Sequence, residues 1–181
     1  MKKMKVTFLT FLLAIMTLSL SAQTKSNVVK TNLFSPILKT YWLSYEHLFN
    51  DNLGAQLGFF YTGVSVGSTN FKGYSFTPEA RFYLSESPAP KGIYVAPGLR
   101  YSSFSLTDDI AAGKATYSTF GGALVVGAQT LLKEIITIEA YLGPAYSVGT
   151  LKVDSGTASD FDLGSFDGFG FRFGITIGVA F

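Results

Sequence analysis

In 181 residues there is no cysteine, one histidine and one tryptophan, and only 14% of the residues are charged. The missing cysteine removes disulfide frameworks, thiol catalysis and cysteine-ligated zinc. The charged fraction lies well below the about 25% of ordinary soluble domains. Net charge is also small, +2, and Lys2, Lys3 and Lys5 sit in a segment of targeting character. Without those three lysines it becomes −1, so no basic patch is left for nucleic acid or an acidic substrate. Beyond residue 18 no apolar run approaches the ~20 residues of a spanning helix. What is abundant is apolar: 48% hydrophobic residues, 15% aromatics and 19 glycines, a composition far from that of disordered chains.

The N-terminus reads Met1-Lys-Lys-Met-Lys5, then an apolar run from Val6 to about Leu18, then Ser19-Leu-Ser-Ala22. A basic head, a short apolar stretch and small residues predict a secretory signal over residues 1–22, cleaved before Gln23. No cysteine follows, so no lipoprotein anchor is expected. Residues 23–181 are then one domain.

The last residues, Phe169-Gly-Phe-Arg-Phe-Gly-Ile-Thr-Ile-Gly-Val-Ala-Phe181, alternate without a break. Odd positions are large and apolar; even positions are small or polar. In a strand, successive side chains point to opposite faces, so one face is a wall of Phe, Ile and Val. A face of glycines suits a crowded interior rather than water. Such a segment predicts the closing strand of a membrane β-barrel.

Seven more segments alternate in the same way, over residues 28–35, 41–49, from 53 to about 62, 72–84, 93–104, 117–131 and 135–152. The fold class predicted is all-β, an eight-stranded antiparallel up-and-down transmembrane barrel. Connections after the second, fourth and sixth strands are short: 50–52, 85–91 and a two-residue turn at Leu132-Lys133. Those at 67–71, 107–115 and 153–165 are mostly longer and more polar, which is the usual asymmetry of outer-membrane barrels. Pro78, Pro97 and Pro144 fall inside strands, where proline cannot donate to the ladder.

One register collects Lys30, Glu46, Glu79, Arg81, Arg100, Glu139 and Arg172. An unpaired charge at mid-depth in lipid costs ~2–4 kcal/mol, so this face is the inside. An eight-stranded barrel has room for little besides its own side chains. The charges are therefore expected to form a polar plug of ion pairs. On the other register Tyr41, Tyr61, Tyr74, Tyr101 and Tyr146 lie near the loop ends of five strands, the pattern of an aromatic girdle at the headgroup level.

With these features the chain resembles the small outer-membrane barrels, a class that includes the OmpA membrane domain and OmpX. Lys30-Thr31-Asn32-Leu33, Ser44-Tyr45-Glu46 and Pro78-Glu79-Ala80-Arg81-Phe82-Tyr83 look like those of a family of barrel domains of unknown function. The resemblance implies a C-terminal signal for the barrel assembly machinery, matched by Gly174, Ile175, Ile177, Val179 and Phe181. It brings no catalytic residues. The partners implied are outer-membrane lipid and, during biogenesis, that machinery; the chain is expected to be a monomer.

Other motifs point nowhere stronger. The glycine run from Gly168 to Gly174 lacks the spacing and the following helix of a dinucleotide fingerprint. Asp154, Asp160 and Asp162 lack a calcium-loop framework. Ser44, Glu46 and His47 contain the elements of a hydrolytic set, but neighbouring strand positions face opposite ways, so Glu46 and His47 diverge. No cofactor or metal is expected. The expected role is that of a non-enzymatic barrel, structural or interaction-bearing, in the outer membrane of a Gram-negative cell; the alternatives are a lipid-modifying enzyme and a narrow pore.

Overall fold

A computed structural model describes residues 25–35, 37, 39–66, 69–108, 113–156 and 167–181. The N-terminal segment read as a signal lies outside them, as do Asp160 and Asp162. Eight strands follow in order: β1 Asn27–Asn32, β2 Thr40–Leu48, β3 Leu53–Val66, β4 Thr69–Tyr83, β5 Gly92–Asp108, β6 Gly113–Leu132, β7 Ile136–Ser155 and β8 Gly168–Ala180. Each pairs antiparallel with its sequence neighbours, and β8 returns to β1 to close the barrel.

Closure settles the standing of the first segment. β1 is a wall strand, bonded to β2 through Thr31↔Leu43 and to β8 through Val28↔Ala180. Phe181 extends this seam: its N–H donates to Asn27 O at 2.8 Å, and Asn27 N–H donates back at 3.0 Å. β1 is nevertheless shorter than residues 28–35, because the chain turns after Asn32, whose side chain accepts from Phe34 N–H.

Several other strands run further than the apolar pattern predicts. β5 reaches Asp108, β6 begins at Gly113 and β7 reaches Ser155. Most of the 107–115 connection is thus strand, and β4 takes up residues from Thr69 onward. Alternation of apolar residues marks only the part of each strand whose outward face is apolar. Above it the outward residues turn polar, as with Ser118, Thr116 and Lys114 on β6, while Leu106, Ala115 and Tyr117 cluster inside. The segments 67–68, 109–112 and 157–166 lie outside the described residues.

At the opposite end the connections are tight. Asn50 Oδ1 accepts from the N–H groups of Asn52 and Leu53 at 2.9 Å, closing the β2–β3 turn. The β6–β7 turn is centred on Lys133-Glu134, one residue beyond the predicted pair. Its Ile135 N–H donates to Leu132 O, and Lys133 and Glu134 have φ of 49° and 58°. This is the twist a two-residue hairpin turn requires, reached here without glycine or asparagine.

The three prolines stay within their strands. Pro78, Pro97 and Pro144 pair on one side with Leu57, Leu124 and Phe171. On the other side the pairing skips: Phe76↔Tyr101 is followed by Glu79↔Gly98, and Ala123↔Ala145 by Val126↔Leu142. The missing donors are absorbed as local gaps in otherwise continuous ladders.

Candidate functional site

The outward face is apolar through the middle of the wall. Phe169, Phe171 and Phe173 are 66–75% exposed, and Leu57, Phe120, Leu124, Val126 and Leu142 are exposed around the circumference. Buried residues carry the opposite chemistry: Lys30, Glu46, Glu79, Arg81, Glu139 and Arg172 are all inside and nearly inaccessible. Inside-out polarity of this kind is the arrangement lipid demands.

Six of the seven charges singled out from the sequence meet in one cluster. Lys30 Nζ lies 2.7 Å from Glu46 Oε2 and 3.0 Å from Glu139 Oε2. Arg81 Nη1 lies 2.8 Å from Glu139 Oε1, and its Nη2 reaches Glu79 Oε2 at 3.3 Å. Arg172 pairs with the other oxygen of Glu79. Three cations and three anions thus form an alternating chain across the lumen. Neutral donors complete the shell: Tyr83 Oη donates to Glu46 at 2.6 Å, Thr176 Oγ1 to Glu139 at 2.9 Å and Gln56 Nε2 to Glu79 at 3.1 Å, and Tyr94 Oη also donates to Glu139. The Arg81 guanidinium lies over the Tyr94 ring, 4.4 Å from its centroid. Such a group is stable only as a whole, since a buried charge without its partner costs several kcal/mol.

Strand geometry brings these residues together. Lys30 and Glu46 lie on neighbouring strands, as do Gln56 and Glu79, which face each other in register, and Gln129 and Glu139, which do the same. Below the cluster Leu48, Tyr83, Tyr94, Ala96 and Val125 form a small apolar core. Val125, which breaks the small-residue pattern of its strand, fills space there. Tyr94, Gln56, Gln129 and Thr176 belong to the cluster, although their sequence signal was no more than register parity with the charged residues.

Arg100 stands apart. Its side chain faces the lumen but remains exposed, with Nε donating to Thr77 Oγ1 at 3.3 Å. It lines a cavity of about 450 Å³ on the long-connection side of the plug, together with Trp42, Ser75, Ser102, Tyr141 and Arg172. The expectation that Arg100 joins the ion-pair chain is corrected: no carboxylate bonds it among the described residues, because the three acids are already shared by Lys30, Arg81 and Arg172.

The five tyrosines all lie on the outward register. Tyr41, Tyr61 and Tyr74 are direct neighbours across β2, β3 and β4, with the Tyr41 and Tyr61 rings 6.4 Å apart. Tyr101 pairs with Phe120, and Tyr146 with Phe169. Beyond them the outward positions are Ser103 and Ser105 on β5 and Thr150 and Lys152 on β7. In the C-terminal motif Ile175 and Val179 face outward, and Gly174 faces the Tyr141 ring, whose Oη would lie 2.6 Å from an added Cβ.

The hydrolytic set is not assembled. Ser44 and Glu46 are inside, whereas His47 is on the outer face with Nδ1 2.9 Å from Asn27 Oδ1 and its ring on Phe49. Among the described residues no three acids or histidines are placed to hold a metal ion.

Comparison with solved structures places the N-terminal β-barrel domain of Pseudomonas aeruginosa OprF beside this fold. The TM-score is 0.52 at 16% identity, covering 88% of this chain and 100% of that domain. Acinetobacter baumannii CarO aligns at TM-score 0.45 and 13% identity, over 87% of this chain and 97% of that one. No curated protein matches the sequence significantly. A family model matches residues 8–179, nearly the whole chain, and by that match the chain belongs to the family described as protein of unknown function (DUF3575).

Proposed function

We propose that this protein is a non-enzymatic outer-membrane barrel with a structural or surface-interaction role, its lumen closed by the ion-pair plug. One observation carries this reading: a closed barrel, apolar outside, whose interior holds six charges that neutralise one another. A wall of this polarity has lipid as its solvent. The likeness to OprF concerns the fold, and with the resemblance to the OmpA membrane domain and OmpX it favours the outer membrane of a Gram-negative cell as the location. Export by a signal cleaved before Gln23 and assembly through the C-terminal strand belong to the same reading.

The divergence of His47 from Ser44 and Glu46 speaks against a lipid-modifying enzyme, because a general base must lie within hydrogen-bond reach of its proton. Three measurements test the proposal. The purified protein should migrate differently on a denaturing gel with and without boiling, and mature protein should begin at Gln23. Lipid A from a deletion strain should have unchanged mass; an altered acyl or headgroup pattern restored by the wild-type chain would establish the enzyme instead.

A further inference from the structure

The wall is uneven above the plug, beside the cavity. β1 stops at Asn32, opposite Thr176 of β8, and Leu33 N–H adds one bond to Ile175 O. Among the described residues no strand pairs with that edge of 168–174. β2 begins only at Thr40, opposite Thr62. Among the described residues a notch therefore lies above the β1–β2 turn, with β8 on one side and the short top of β2, then β3, on the other. Adjacent strands are about 4.8 Å apart, so the gap is roughly 10 Å between backbones beside the top of β2 and roughly 14 Å above it, wide enough for an alkyl chain. The lining of the cavity includes Phe171 and Phe173 of this free edge, whose side chains lie on the outward register of β8. The free edge carries Phe169, Phe171 and Phe173 on its outer face, and Tyr146 pairs with Phe169 near its upper end.

Inside the notch the chemistry is cationic and aromatic. Arg100 is the cation left over from the balanced plug, and it lines the cavity together with Arg172, another cation. Arg172 Nε is buried and has no hydrogen-bond partner among the described residues, although Nη2 pairs with Glu79. Trp42, Phe60 and Tyr141 line the same space with Ser75, Ser102 and Ser147 hydroxyls nearby. A volume of about 450 Å³ falls within the usual range of small-molecule sites.

We propose that this cavity binds a single-chain anionic amphiphile, with its oxyanion headgroup on Arg100 and Arg172 and its alkyl chain leaving through the notch over Phe171 and Phe173. Guanidinium groups recognise carboxylate, sulfate and phosphate alike through charge-assisted hydrogen bonds. The route is lateral, from the outer leaflet. This inference rests on the membrane reading above, which boiling-dependent gel mobility checks separately.

The single tryptophan supplies the probe, since Trp42 lines the cavity and is nearly inaccessible from outside. Folded protein in dodecyl maltoside is titrated with 11-bromoundecanoate, whose bromine quenches on contact. Saturable quenching is expected, with 11-bromoundecanol far weaker and Arg100→Gln shifting the midpoint at least about tenfold, as for loss of a charged hydrogen bond. Dodecyl phosphate should compete, and inorganic phosphate or acetate should not, which separates a lipid-borne anion from a free one. Equal quenching by the alcohol, no effect of Arg100→Gln in protein that still shifts on boiling, or competition by inorganic phosphate at the same concentration would overturn the proposal.

Discussion

Glu139 accepts from Tyr94 and Thr176 and sits against both Lys30 and Arg81, so its replacement by an amide leaves two cations without a counter-charge and one of the two hydroxyls without an acceptor. Glu139→Gln should destabilise the folded barrel by about 3–5 kcal/mol, the range for breaking a buried pair from one side. Arg100→Gln, at a site wetted by the cavity, should stay within about 1 kcal/mol. Urea unfolding in lipid vesicles checks both, and equal losses would mean that Arg100 belongs to the plug after all. At this scale the sequence showed which residues face inward, because parity along a strand assigns the face. It did not show who pairs with whom: that Arg100 lacks an acid follows from the stagger between strands, and no local pattern encodes it.

The strands were legible where lipid sets their pattern and blurred where water does. β8 could be read almost to the residue, because Phe, Ile and Val alternate with Gly and Thr throughout. The upper ends of β5, β6 and β7 carry no apolar alternation, because their outward residues become serine, threonine and lysine. The β6–β7 turn was misplaced by one residue because Lys133-Glu134 carries none of the usual turn chemistry. Replacing the pair by Asn-Gly should relieve two left-handed non-glycine residues. We expect a gain of about 1 kcal/mol in the same unfolding assay; a loss would mean that the Lys133 or Glu134 side chain does something that the turn geometry does not reveal. Deleting Phe181 removes the reciprocal bonds to Asn27 at the seam. The truncated chain should reach the membrane as less boiling-sensitive, folded barrel than wild type, with the folded fraction of the purified remainder little changed in stability. Normal insertion would deny the terminal residue its part in assembly.

As a whole molecule the barrel divides into two levels along its axis. Toward the short turns, charges and aromatic hydroxyls fill the lumen; toward the long connections, the lumen widens into the cavity beside Arg100. Eight strands leave an interior that side chains can fill, and the alternating chain of Lys30, Arg81, Arg172 and their three carboxylates fills the narrow part. Few charges and many glycines and aromatics suited this architecture, and the alternation of eight segments pointed to it. The notch in the wall was not foreseeable, because it depends on how far β1 and β2 rise beside β8. The closed lumen is best tested by planar-bilayer recording of the purified, boiling-sensitive barrel. The account predicts no steady conductance above the lipid baseline, with Glu139→Gln producing at most flickering events. A stable ohmic conductance from the wild-type protein would contradict it.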